Sequence, residues 1–182
     1  MFGAYRCEIC GEVYLGSEKP EQCPYCGAHQ NFLKSLQRED YSRISVFEPD
    51  ITEESLEDIK TAIGLEVENY LFYNCAASKT ENENKAETFE RLAKVEMEHA
   101  KALADLGRLD RSIIEDKKEE LPEPECSEDY VENFEKSHEV ENRAIEEYAK
   151  FARNASETQI KKFFAALVTI ERDHLKLSKR NT

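Results

Sequence analysis

No stretch of this chain comes near the 18 consecutive apolar residues of a membrane-crossing helix, and its start carries no secretory leader pattern. Those two absences predict a cytoplasmic protein with no membrane partner. Basic residues are also in the minority: 25 Lys and Arg stand against 39 Asp and Glu, a formal charge of −14. Binding to a nucleic-acid backbone needs a basic patch, so that partner class is excluded. The formal charge overstates the real one if carboxylates and thiolates hold cations. Cysteine is sparse outside one region. Of six, four fall in the first 26 residues and only Cys75 and Cys126 remain. Such a distribution speaks against a disulfide framework in an unexported chain. Cys75 reads as a small core residue beside Tyr73. Cys126, behind Pro122 and Pro124, reads as an incidental loop thiol open to oxidation.

The four clustered cysteines form two knuckles, Cys7-x-x-Cys10-Gly11 and Cys23-Pro-x-Cys26-Gly27, with twelve residues between Cys10 and Cys23. In each, a tight turn aims backbone amides at the thiolates, and the glycine allows the backbone angles required. Four thiolates at this spacing make a tetrahedral cage for zinc or a single iron, and spacing alone does not choose between them. Tyr5, Tyr14 and Phe32 are the expected aromatic core of this short module, whose folding and metal binding form one equilibrium. His29, just past the fourth cysteine, is expected at the surface, since the cage is already complete.

A polar linker is expected over 36–52, ending at Pro49 and Asp50, and Thr52 is a plausible N-cap. Beyond it the pattern turns helical. Four helices are predicted at about 53–78, 84–106, 128–153 and 157–178, with turns at 78–84 and 154–158. Gly107 is the expected C-cap of the second helix, and 108–127 is the long connection. The apolar stripes run Ile59, Ala62/Ile63, Glu66, Tyr70, Tyr73, Ala77; Phe89, Leu92, Glu96, His99, Leu103, Leu106; Phe134, His138, Glu141, Ile145, Tyr148, Ala152; and Ile160, Phe164, Leu167, Glu171, His174. An acidic residue sits inside every stripe.

The two halves superpose at an offset of 75: Glu66 on Glu141, Tyr73 on Tyr148, Phe89 on Phe164, Glu96 on Glu171, His99 on His174. A repeated helical hairpin accounts for this. Pairing Glu139 with Glu66 instead, as a second Glu-Val-Glu-Asn suggests, misplaces every aromatic. Glu66 and Glu96 both lie 15 residues from position 81, and Glu141 and Glu171 both lie 15 from position 156. In antiparallel hairpins equal distance from the turn means equal height. Buried carboxylates and imidazoles are costly unless paired or bound to a cation. One Glu from each of two helices with Glu-x-x-His from each of two others is the ligand set of a di-iron carboxylate bundle. The connection reaches roughly 66 Å when extended, and a 24-residue helix is about 36 Å long. Both a crossover within one subunit and exchange of a hairpin between subunits are therefore possible.

Read together, the two modules resemble rubrerythrin over nearly the whole length, with the modules in reverse order. The fold class expected is a ferritin-like four-helix bundle over 53–180 behind a small rubredoxin-like domain over 1–35. The resemblance implies iron in the cysteine cage and two irons in the bundle. It implies a non-haem peroxidase that reduces hydrogen peroxide to water, with electrons relayed through the cage from an NAD(P)H-dependent reductase. Glu66 and Glu141 become bridging or terminal ligands, Glu96/His99 and Glu171/His174 each cap an iron, and Tyr73 and Tyr148 hydrogen-bond the carboxylates. It also implies a homodimer in which one subunit's cage lies near the other's di-iron centre. Typical rubrerythrins carry another glutamate where this chain has Ala144, and His138 is a candidate substitute. The alternatives left open are a ferroxidase or iron-binding protein that uses oxygen, and a zinc-loaded redox sensor or scaffold.

Overall fold

The computed structural model describes residues 3–16, 18–36 and 51–179. Strands β1 (Gly3–Cys7), β2 (Val13–Gly16) and β3 (Leu33–Ser35) form an antiparallel sheet in the order β2-β1-β3, with Tyr5 opposite both Tyr14 and Ser35. A 3-10 turn, Gln30–Phe32, leads into β3. Five helices follow: α1 (Glu53–Lys79), α2 (Glu83–Leu106), α3 (Ser112–Glu120), α4 (Tyr130–Asn154) and α5 (Thr158–Lys179). None of them is long and apolar enough to cross a membrane. The expected class, a helical bundle behind a small strand-and-knuckle module, is the observed one. The predicted linker, Pro49 and Asp50 included, lies outside the described residues except at its ends.

Helix ends follow local chemistry. Thr52 accepts from the Ser55 amide to start α1, Asn82 from Lys85 to start α2, and Asp129 from Val131 to start α4. Gly107 closes α2 as expected, but the left-handed residue is the next one, Arg108, at φ 54°. What Gly107 supplies is closeness, since a Cβ there would lie 3.0 Å from Ile59 Cγ2 and 3.2 Å from Leu109 Cδ1. The connection expected over 108–127 contains α3, whose first amide is held by the Asp110 carboxylate at 2.8 Å.

Helices α1 and α2 form one antiparallel hairpin, α4 and α5 the other, and α1 lies against α4. The 75-residue repeat is visible in the packing: Tyr73 stacks on Phe89 at 6.2 Å and Tyr148 on Phe164 at 6.0 Å. Helix α1 buries more than the expected stripe, adding Val67, Asn69 and Phe72 while leaving Tyr70 and Ala77 half-exposed. A helix with neighbours on two sides needs a wider face than one stripe.

Two expectations are corrected. Tyr5, Tyr14 and Phe32 are only half-buried; the module's centre is Ile9, Ala28, Leu33 and the thiols of Cys7, Cys23 and Cys26, which pack into the bundle's own core. Docking on the bundle replaces the separate aromatic core. Cys75 and Cys126 are neither a core residue nor an idle thiol but are bonded to each other, with Cα atoms 5.9 Å apart. The connection folds back along α1, a proximity across 51 residues that no local pattern encodes.

At the end of the bundle, Glu157 ties α5 to α1, accepting from the Thr52 amide and from Ser55 Oγ, each at 2.6 Å. Burial raises its carboxyl, but the Ser55 hydroxyl and Thr52 amide override that and bring it down to about 2. A depressed carboxyl stabilises the fold above its unfolded value, and that contribution vanishes as pH falls from about 4.5 to about 2. The group is largely solvent-screened, so Glu157→Gln is expected to cost about 1 kcal/mol at neutral pH. In urea melts the difference should shrink towards the acid end of that window.

Candidate metal centres

Cys7 and Cys10 flank the turn after β1, and Cys23 and Cys26 flank the next knuckle. In each the glycine amide closes the turn on the first cysteine's carbonyl at 3.0 Å, and Gly11 and Gly27 sit at φ 77° and 78°. Cys7 and Cys26 sulfurs are 3.7 Å apart, Cys10 and Cys23 sulfurs 3.8 Å. A tetrahedron with metal–sulfur bonds of about 2.3 Å has edges of about 3.75 Å, so the cage has the dimensions of its cargo. Without a cation the thiols cannot ionise together. Cys10 beside it holds Cys23 below the ordinary thiol range, and the same neighbour pushes Cys26 far above it.

The second cluster lies at mid-bundle. Glu66 from α1, Glu96 and His99 from α2, Glu141 from α4 and Glu171 from α5 are fully buried, and His174 is 8% exposed. Glu139, by contrast, faces solvent. Two groups of potential ligand atoms overlap: Glu66, Glu96, His99 and Glu171, then Glu96, Glu141, Glu171 and His174. His99 Nδ1 lies 3.4 Å from oxygens of Glu66, Glu96 and Glu171. His174 Nδ1 lies 2.9 Å from Glu171, 3.1 Å from Glu96 and 3.7 Å from Glu141. Ligands at right angles on bonds of about 2.1 Å sit about 3.0 Å apart, so these spacings suit a cation between them.

The orphaned atoms sort the carboxylates. Glu96 and Glu171 leave both oxygens without a hydrogen bond, whereas Glu66 and Glu141 leave one each. Their other oxygen accepts a tyrosine hydroxyl from the opposite hairpin: Tyr148 donates to Glu66 at 2.6 Å and Tyr73 donates to Glu141. The geometry thus suits Glu96 and Glu171 to reach two cations and Glu66 and Glu141 to reach one.

Electrostatics point the same way. Burial pushes the Glu66 and Glu141 carboxyls well above the usual range, and the neighbouring Glu171 and Glu96 charges add to it. Burial also works against Glu96 and Glu171, but the facing histidines bring both below that range. Burial alone would lower His99 and His174; the carboxylates around them push both well above an ordinary imidazole. Protons must fill this cluster wherever cations do not. Burial, reinforced by Glu141 and Glu66, drives the Tyr73 and Tyr148 hydroxyls well above a normal phenol, so they remain donors. Tyr148→Phe and Tyr73→Phe each strand one buried carboxylate oxygen, an expected loss of about 1–3 kcal/mol per site, read as a lower denaturation midpoint of the iron-loaded protein.

The two centres touch. His99 Nε2 lies 3.2 Å from the Cys26 carbonyl, which can only accept, so this nitrogen carries the hydrogen and Nδ1 faces the carboxylates. His29, expected at the surface and outside the cage, is about a third exposed and pairs with Asp173, next to His174 on α5. No sequence signal marked Asp173 or the Cys26 carbonyl, because both contacts depend on how the module docks. Within one chain the cysteine cage lies against the carboxylate cluster, and that chain supplies all six bundle ligand candidates. His138 is half-buried and belongs to neither group, and Ala144 is buried and brings no ligand.

Residues 57–181 match the rubrerythrin family model, and residues 5–33 match the rubrerythrin rubredoxin-like domain. Reverse rubrerythrin-1 of Clostridium acetobutylicum is 31% identical over 125 residues, 64% of this chain and 67% of that protein. No solved structure matches the chain. With its cysteine module ahead of the carboxylate bundle, the chain belongs to the rubrerythrin family and carries that family's rubredoxin-like iron site and di-iron site.

Proposed function

We propose that this protein reduces hydrogen peroxide to water in the bundle, with electrons received from an NAD(P)H-dependent reductase through the cysteine cage. Residues 1–35 serve as the electron-receiving module, 36–52 as the linker and 53–180 as the catalytic bundle. The observation that carries this reading is the hydrogen bond from His99 to the Cys26 carbonyl. It joins a cage ligand to a cluster ligand through a few covalent bonds and one hydrogen bond, an arrangement that iron storage does not require.

When loaded, the irons supply the two electrons that cleave the O–O bond, and the cage supplies their replacements singly. The chain's own residues set the conditions. Glu96 and Glu171 present two free oxygens each at the centre, and Glu66 and Glu141 one each at its flanks. Tyr148 and Tyr73 keep their protons and hold the outer carboxylates in place. Bulk water is excluded, since every ligand candidate except His174 is sealed from solvent. His174 borders a surface cavity of about 560 Å³, lined also by Gly27, Leu92 and Ile170. That opening, whose rim also carries Arg91, Asp173 and Lys176, is the route by which a small molecule reaches His174.

The test is peroxide-dependent NAD(P)H oxidation by the iron-loaded protein with an added reductase, run beside oxygen uptake by the ferrous form. Peroxide is expected to be consumed faster than oxygen. Rapid oxygen uptake with slow peroxide consumption would assign the chain to ferrous-ion oxidation instead.

A further inference from the structure

The bond between Cys75 and Cys126 lies outside both metal groups and takes no part in the chemistry above. It also places two opposed demands on one chain. Cys7, Cys10, Cys23 and Cys26 serve a metal only as unbonded thiolates, and unbonded they are. A bound metal shields those four thiolates from oxidation, whereas Cys75 and Cys126 lie outside both metal groups and have no such shield. A bond at 75–126 therefore calls for an oxidant that acts there. We propose that Cys75 and Cys126 form a reversible dithiol–disulfide couple, closed by hydrogen peroxide and opened by an external dithiol.

Three observations support a reactive pair over an inert staple. Both residues are half-buried rather than sealed in the core. Cys126 sits in the irregular stretch between α3 and α4, where Lys79 Nζ donates to its carbonyl oxygen at 3.0 Å. The ammonium lies on the Cys126 backbone rather than on its sulfur, and a positive charge at the same residue favours the thiolate, the reactive form. The adjacent acid, Glu125, faces Lys136 at 3.8 Å, which offsets its charge. Finally, the Cα separation of 5.9 Å lies inside the ordinary disulfide range, so the bonded state imposes no distortion on α1 through that distance.

The steps balance without another reagent. The Cys126 thiolate attacks one peroxide oxygen; an S–O bond forms, the O–O bond breaks, and the departing hydroxide takes up a proton. Cys75 sulfur then attacks the Cys126 sulfur; the S–S bond forms, the S–O bond breaks, and water leaves with the Cys75 proton. Two thiols lose two electrons and one peroxide becomes two waters. Opening reverses the sulfur oxidation: an external dithiol attacks the bond and departs as its own disulfide. Cys75 is the resolving partner because its sulfur lies 3.5 Å from the Pro124 carbonyl, a contact that in the dithiol favours the protonated form. Closure pins the connection to α1 two residues from Tyr73, and Cys126 packs on the cluster of Phe72, Tyr73, Phe89 and Phe134.

The experiment counts thiols on the full-length, iron-loaded protein. The protein is reduced with a dithiol, freed of it without air, exposed to excess peroxide, alkylated under denaturing conditions and mapped by mass spectrometry. The expected result is loss of the Cys75–Cys126 cross-link on reduction and its return on peroxide, before any of the four cage thiols is lost. Lys79→Met is expected to slow closure about threefold, the smaller thiolate fraction being partly offset by the greater nucleophilicity of a more basic thiolate. In Cys75→Ser, Cys126 should form a dimedone adduct after peroxide. A cross-link that survives dithiol treatment of the native protein, or a pair that stays reduced while cage thiols are lost, overturns the proposal. Because peroxide is in excess and the readout is sulfur chemistry, the result holds whether or not the carboxylate cluster turns peroxide over.

Discussion

Glu171→Ala is expected to empty the carboxylate cluster altogether, while Glu66→Ala weakens one half of it. Glu171 stands in both ligand groups and leaves both its oxygens without hydrogen bonds, so its loss removes a ligand from each cation. Glu66 stands in one group and has one free oxygen. Iron analysis of the purified variants should find the cage iron retained and the bundle irons absent in Glu171→Ala. Peroxide reduction should fall by about 10³-fold or more, the scale of losing a principal electrostatic element of a site. The metal-free variant should also be less stable than the metal-free parent, since Glu171 is the ionised partner of His174 at 2.9 Å and of His99 at 3.4 Å, and its removal leaves those buried imidazoles short of a counter-charge. What disappears is the rise in midpoint on adding ferrous iron, because a cation that binds only the native state stabilises it by mass action. Glu139→Ala, on the solvent-facing side of α4, is the control and should alter neither quantity.

How much of this was legible beforehand depends on the range of the interaction. The helices, their caps at Thr52 and Gly107, and the inward direction of Glu66, Glu96, Glu141 and Glu171 all follow from a 3.6-residue period and a repeat of 75. Both are local or nearly local signals. The tyrosine contacts were legible as chemistry but not as pairing: Tyr73 bonds Glu141 and Tyr148 bonds Glu66, each across the hairpins, because the pseudo-symmetry exchanges the halves. Whether Glu66 and Glu141 bridge or terminate was open in the sequence, and the tyrosine held by one oxygen of each favours the terminal role. Nothing in the order of residues revealed α3, the Cys75–Cys126 bond, or the docking of the knuckles on α2 and α5. His29 and Asp173 are 144 residues apart, and Cys26 and His99 are 73 apart. Contacts of that span leave no periodic trace, and for Cys75 and Cys126 composition argued the wrong way.

The docking contacts carry the second large expected effect. Cys23→Ser together with Cys26→Ser leaves the cage two thiolates, too few to hold its ion, and the module loses the centre around which it folds. The bundle keeps all six of its own ligand candidates, which come from α1, α2, α4 and α5 alone. Steady-state peroxide reduction driven by NAD(P)H and a reductase is therefore expected to fall by about 10²-fold or more, the scale of removing a positioned relay. A single turnover, in which a chemically reduced bundle is mixed with peroxide in a stopped-flow instrument, should keep a rate within a few-fold of the parent. A change limited to the steady state assigns the cage to electron delivery. Equal loss in both measurements would mean that the module's chief role is to shield His99 and seal the bundle's end, since the Cys26 carbonyl covers that imidazole directly. Asp173→Asn separates the two roles further. It weakens the His29 tie between module and α5 without touching a cage thiol, so it should slow delivery while leaving the iron count unchanged.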